Sequence, residues 1–226
     1  ANSQETKRTM LQHLGKYIDA DKIAVIYHGI DEKLLADEGN KLPQIEAQDG
    51  TIILGNAGRL TLQKGQQHLI EVAEKLKAKN IKFKLYIAGT GELQQKLQDS
   101  ITARNLEKEI ILLGFVADME AFMRSIDVFV LSSSWEGFGF VIVEAMAKGK
   151  PVVAFDITSN PEIVTDGKTG LLALHPEAND FTSKTLEIIK NKVLREQLGY
   201  QAKQSVIDRF LIKERITELE EYLLNN

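Results

Sequence analysis

The chain has 226 residues, 43% hydrophobic and 27% charged, with 28 basic against 32 acidic side chains for a net charge of −4. This is the profile of an ordinary folded protein with a sizeable core; it excludes bulk disorder and argues against a dedicated nucleic-acid binder, which carries a basic surplus. The absence of cysteine excludes disulfides, a thiolate nucleophile and zinc–thiolate sites and fits a reducing compartment.

In chain order, residues 3–17 predict one isolated helix, followed by a strand at Ile23–Tyr27 and a turn at Gly29. The polar stretch Asp37–Gly50, with Gly39 and Pro43, predicts a loop. Short β-rich runs then alternate with helical patterns. The expected strands are Thr51–Ala57, Phe83–Ala88, Ile110–Leu113, Val128–Ser132, Pro151–Phe155 and Gly170–Leu174. The expected helices are Gln66–Lys79, Glu92–Arg104, Asp118–Ile126, Val141–Lys148 and Pro161–Thr165. Several strands read as unbroken apolar runs, the pattern of strands covered on both faces. The alternation predicts an α/β fold with a parallel sheet and helices on both sides. Such sheets bind ligands at the C-terminal ends of their strands. From residue 177 onward only helices are expected. The last carries a stripe of Ile212, Ile216, Leu219 and Leu223, which packs on its own domain or covers a partner domain.

Apolar runs such as Ile110–Leu113 are far shorter than the roughly 20 residues that cross a bilayer. No secretory leader is visible, and the chain opens on Ala1. At about 150 residues per domain, the sequence reads as one full domain plus part of another, cut from a longer protein.

Several motifs fail on spacing. Gly167-Lys168-Thr169 lacks the upstream glycine of a phosphate-binding P-loop, since Glu162 stands there. Gly89-Thr90-Gly91 follows a strand, but Gln94 replaces the third glycine of the dinucleotide fingerprint. Asp19 and Asp21 fit a solvated turn, and the histidines at 13, 28, 68 and 175 are too scattered to indicate a metal site.

Two segments carry chemistry. In Gly55–Gly65, a strand ends in small residues, and Gly58-Arg59 and Lys64-Gly65 follow before a helix. Glycine admits a ligand close to the backbone, and Arg59 with Lys64 suits a polyanion such as a diphosphate; alone, such a loop is as readily a pair of solvated cations. In Leu131–Pro151, a buried strand runs into Glu136-Gly137-Phe138-Gly139-Phe140 and then an almost wholly apolar helix that contains Glu144. A carboxylate in such a helix needs donors, from the core or from a ligand. Free amides at a helix start suit anions, and carboxylates accept from sugar hydroxyls. Leu113-Gly114-Phe115-Val116 leaves a strand without chemistry of its own. Thr158–Val164 is either an ordinary capped helix start or a ligand loop.

Taken in order, these segments resemble the C-terminal half of family-4 glycosyltransferases, retaining enzymes of the two-domain GT-B fold. Val25–Asp31 is similar to their interdomain linker "VIPNGVD", Gly58–Gly65 to "GRL…KG", Ala88–Glu92 to "VGDGP", and Glu136–Ala147 to "EGFG…EAMA", whose two glutamates are separated by seven residues. Val152–Ala154, Pro161–Val164 and Gly170–Leu172 follow in register, and the likeness covers about residues 20–176. Tyr27 and His28 replace the linker's Pro-Asn, Ser132 a Pro, and Ser159-Asn160 a Gly-Gly pair.

The resemblance implies a Rossmann-like half of a GT-B fold, with residues 1–30 as the tail of the acceptor domain plus linker and 31–226 as the donor domain with C-terminal helices. It implies catalytic roles for Glu136, Arg59 and Lys64. Arg59, Lys64 and Gly58 would meet the diphosphate, Glu136 the transferred sugar and Glu144 the ribose. The amides of Gly137, Phe138, Gly139 and Phe140 would meet sugar and phosphate, and the main chain at Phe115 and Val116 the base. The implied donor is a UDP- or GDP-linked hexose and the acceptor a glycan or lipid-linked molecule held by the missing N-terminal domain. No cofactor, metal, nucleic acid or transmembrane segment is expected; location would be cytoplasmic, at most peripheral at the inner membrane face. The isolated fragment is expected to bind donor and transfer little. The alternatives are a GT-B-fold sugar-nucleotide epimerase and a non-catalytic nucleotide-sugar-binding module.

Overall fold

The computed structural model describes residues 1–45 and 50–225. In chain order these form α1 (Gln4–Leu14), β1 (Ile52–Ala57), α2 (Gln66–Ala78), β2 (Phe83–Ala88), α3 (Gln94–Ala103), β3 (Ile110–Gly114), α4 (Met119–Ser125), β4 (Val128–Leu131), α5 (Phe140–Ala147), β5 (Val152–Phe155), α6 (Asn160–Ile163), β6 (Gly170–Ala173), α7 (Ala178–Lys190), α8 (Lys192–Arg209) and α9 (Ile212–Asn225). Each expected element from Thr51 to Leu174 is found within about two residues.

All six strands are parallel, in the order β3-β2-β1-β4-β5-β6. The unbroken apolar runs are explained by their two covers. In β4, Phe129 and Leu131 face a core with Phe122, Met146 and Phe210, on the side of α4, α5 and α8. Val128 and Val130 face the other core, with Leu69, Leu76, Phe181 and Ile188 of α2 and α7. β5 divides the same way, Val152 and Ala154 against Val153 and Phe155. Strand order reverses between β1 and β4, joined by the pairs Leu54–Val128 and Gly55–Phe129. The loops leaving those two strands therefore flank the crevice where doubly wound sheets take ligands.

The strand expected at Ile23–Tyr27 does not form. Its β-branched residues lie outside the sheet's edges, and Ile26 donates to the Ala1 carbonyl at 2.9 Å instead of to a ladder. The next residues touch the C-terminal region: Ile30 donates to Phe210 O at 2.8 Å and Ile212 to Ile30 O at 2.9 Å. The expected loop Asp37–Gly50 has no helix or strand over residues 37–45, and residues 46–49 lie outside the described ones. The α9 stripe is only half covered. Ile212, Ile216, Leu219 and Leu223 line a groove of about 730 Å³ together with Ile18, Ile23 and Tyr27. No helix among the described residues is long and apolar enough to cross a membrane.

Gly89-Thr90-Gly91, rejected as a cofactor loop, acts as a packing shelf. Thr90 O accepts from Leu60 N at 2.9 Å, and Leu60 O from Leu93 N at 3.0 Å. A Cβ on Gly89, whose φ is +136°, would lie 1.9 Å from the Gly58 carbonyl oxygen. Gly89→Ala should therefore destabilise the fold by at least about 2 kcal/mol in urea unfolding. Gly167→Ala, at φ +71° with open space around it, should cost only about 1 kcal/mol.

Candidate functional site

The loop after β1 is shaped by close approach. Lys64 stretches its aliphatic stem past Gly58, and a Cβ on Gly58 would lie 3.6 Å from Lys64 Cδ. Gly65 adopts φ +62°, and a Cβ there would sit 2.2 Å from the Ser132 carbonyl oxygen. The loops after β1 and β4 are thus packed backbone to backbone. Three bonds lace them: Ser132 Oγ donates to Lys64 O at 3.2 Å, Ser134 N to Gln63 O at 2.8 Å, and Gln63 Nε2 to Trp135 O at 3.1 Å.

Lys64 and Glu136 meet across this seam. Glu136 Oε1 accepts from Lys64 Nζ at 2.6 Å and from Ser133 Oγ at 2.7 Å. Its main chain is fixed as well, its N–H on Thr158 Oγ1 at 3.0 Å and its carbonyl on Ser159 Oγ at 3.1 Å. Thr158 stands at φ +44°, a conformation β-branched residues avoid at a cost of roughly 1–3 kcal/mol. Thr158 and Ser159 belong to the segment read as a helix start or a ligand loop, while Ser133 was not singled out. The serine run before Glu136 was the one legible signal for Ser133; nothing in sequence foretells the turn at Thr158.

Arg59 is exposed, and its guanidinium has no partner among the described residues. It projects from the same loop as Lys64, and its carbonyl is held by Gln66 Nε2 at 3.0 Å. Phe138 turns its side chain inward, onto His28 (5.4 Å between ring centroids), Tyr27 (6.0 Å) and Phe210 (6.0 Å). Only its main chain is left to meet a ligand. Gly137 and Gly139 flank it, and Phe140 opens α5 with a partly exposed ring. Phe115 is 80% exposed. With Val116 it follows β3, two strands from β1 at the same edge of the sheet. A cleft of about 470 Å³ opens beside Glu136, lined by Thr6, Met10, Leu14, Trp135 and Thr158 among others.

Glu144 lies on α5, half-buried, with no side-chain hydrogen bond among the described residues. Burial holds its carboxyl above the ordinary value. The folded state therefore keeps this proton to higher pH than the unfolded chain, and ionisation of Glu144 costs stability as pH rises. Glu144→Gln should raise stability at pH 7, and the gain should vanish below about pH 4, as measured by urea unfolding at both values.

Comparison with known proteins gives this geometry a family. The model of "Glycosyl transferases group 1" matches residues 37–205, well over half of the chain. A poly(ribitol-phosphate) alpha-N-acetylglucosaminyltransferase of Staphylococcus aureus is 33% identical over 159 residues, 70% of this chain and 32% of that protein. An Escherichia coli UDP-Gal:alpha-D-GlcNAc-diphosphoundecaprenol alpha-1,3-galactosyltransferase is 28% identical over 228 residues, 98% of this chain and 58% of that protein. The crystal structure of Anabaena HepE with UDP and glucose superposes with a TM-score of 0.87 at 26% identity, covering all of this chain and 62% of that one. The chain thus spans between about a third and three fifths of these relatives. Its parallel sheet, the crevice between β1 and β4 and the family match agree: the chain belongs to the group 1 glycosyl transferases and has the Rossmann-like half of a GT-B fold.

Proposed function

We propose that this chain is the donor-binding half of a retaining, family-4-type glycosyltransferase that moves a hexose from a nucleotide-sugar to a glycan or lipid-linked acceptor. The observation that carries this reading is the meeting of Lys64 and Glu136 at the strand-order reversal, 2.6 Å apart. The cation and the carboxylate occupy one spot, as a ligand with a diphosphate next to a sugar requires. The printed descriptions of the relatives favour UDP as carrier and a hexose or N-acetylhexosamine as cargo. They favour polymeric or lipid-linked acceptors too. In this reading residues 1–30 are the tail of the acceptor domain and linker, and the rest is the donor domain. The site works in the cytoplasm, on acceptors presented at the inner membrane face.

The chemistry follows from charge. Cleaving the sugar–phosphate bond leaves negative charge on the diphosphate and a cation-like sugar. Arg59, free of protein partners, and Lys64, once it turns from Glu136 to the ligand, stabilise the departing charge. Glu136 accepts a sugar hydroxyl, with Ser133 and Thr158 holding it in place. Glu144, poor in donors within the protein, takes the ribose hydroxyls. The Phe138 and Gly139 amides, which make no hydrogen bond among the described residues, face phosphate or sugar oxygens, whereas Phe140 N–H, expected to join them, is taken by Phe138 O at 2.9 Å. The backbone at Phe115 and Val116 meets the base.

Calorimetric titration tests this. The wild-type chain should bind UDP and UDP-hexoses, and Lys64→Ala should weaken UDP by roughly 10- to 100-fold, the worth of a charge-assisted contact. Glu136→Gln should release Lys64 to the diphosphate, so that UDP binds at least as tightly as to the wild type, and should erase any preference for the sugar-bearing form. Failure of every nucleoside diphosphate to bind would refute the reading. In the full-length enzyme, the product should be a new glycosidic bond and not an epimerised free donor.

A further inference from the structure

The Gly137–Phe138 peptide is gripped from one side. Its carbonyl accepts from Ser3 Oγ at 2.6 Å and from Thr6 Oγ1 at 3.2 Å, the N-cap and a first-turn residue of α1. A trans peptide is planar, with C=O and N–H pointing in opposite directions. A carbonyl turned toward α1 therefore turns Phe138 N–H away from it. That N–H makes no hydrogen bond among the described residues.

α1 itself is seated by Glu162. Oε2 accepts from Gln4 N at 2.8 Å and Oε1 from Glu5 N at 2.9 Å, a carboxylate astride a helix N-terminus. The Tyr27 hydroxyl donates to Oε2 at 3.1 Å, and the Arg209 guanidinium donates to the Glu162 carbonyl. Ser3, wholly buried, caps the helix by accepting from Thr6 N at 2.9 Å while it donates to Gly137. The Tyr27 ring packs on Phe138 itself, so one residue touches both the seat of α1 and the loop that α1 holds. Tyr27 stands where the resembled linker has Pro, which offers no hydroxyl.

We propose that Ser3, Thr6, Tyr27 and Glu162 are positioning residues that lock the Gly137–Phe138 peptide so that Phe138 N–H is presented to an oxygen of the donor's β-phosphate. This rests on the nucleotide-sugar reading above. Without the two hydroxyls the peptide is free to turn its carbonyl toward the ligand, setting oxygen against oxygen.

UDP and UMP differ by the β-phosphate, so the ratio of their affinities reads the lock. Titration calorimetry on the wild type should show UDP bound more tightly than UMP. In Ser3→Ala/Thr6→Val, UDP affinity should fall roughly tenfold, the worth of one hydrogen bond to a charged group, with UMP unchanged. In Tyr27→Phe the fall should be roughly threefold, again for UDP alone. Ser3→Ala/Thr6→Ser keeps one hydroxyl and should recover most of the loss. A purely structural role would weaken both nucleotides alike, and that result overturns the lock. So does a wild-type UDP/UMP ratio in the variants. If the double variant loses its thermal transition, Tyr27→Phe makes the same comparison on a folded chain. A wild type that binds neither nucleotide overturns the donor-site reading, and the lock with it.

Discussion

A single ammonium–carboxylate contact, Lys64 on Glu136 at 2.6 Å, sits where the sheet's strand order reverses, and the rest of the crevice is arranged around it. Both side chains are largely withdrawn from water, at 17% and 6% exposure. Such a pair is favourable only when its remaining lone pairs and protons are satisfied and its geometry is held from outside. Ser133 supplies the extra donor. The geometry is held by the lacing of the two loops, which is possible because Gly65 lets the backbones pass where a Cβ would collide with the Ser132 carbonyl.

The alternation of strands and helices was legible because its cause is local and repeated. Runs such as Val128–Leu131 alternate between two cores, so every residue must be apolar, and that pattern survives without coordinates. The run Ile23–Tyr27 has the same β-branched composition and forms no strand, because a strand needs a neighbour and the sheet's edges lie elsewhere. Composition states a preference; pairing is decided by topology. The site divides in a similar way. Glu144 stood out as a carboxylate in an apolar helix, a type that needs donors, whereas Arg59, Lys64 and Glu136 lie in loops where charge is ordinarily solvated and stood out through the order and spacing of the resembled motifs. That Lys64 and Glu136 would bond to each other was not, since they lie on different loops. Nor was the inward turn of the Phe138 ring, which depends on Tyr27, His28 and Phe210, distant in sequence.

Residues within 1–30 bond directly to the loops around Glu136 and Glu162. Ser3, Thr6 and Tyr27 reach Gly137 and Glu162, and Ile30 bonds to the segment between α8 and α9. The two departures from the resembled linker, Tyr27 and His28, both pack on Phe138. They are matched to this chain's own loop and help to fix its shape.

Under the proposed nucleotide-sugar function, the mutual engagement of Lys64 and Glu136 has a consequence for selectivity. A visiting anion has to draw the ammonium away from its partner, and it then leaves a mostly buried carboxylate without its cation. Inorganic phosphate offers that carboxylate nothing in return, so the exchange runs uphill by the desolvation of an abandoned charge. A visitor bearing hydroxyls beside its phosphates compensates both partners at once. On that reading the paired side chains form a lock with two wards, discriminating against simple anions by what they would have to give up to admit them.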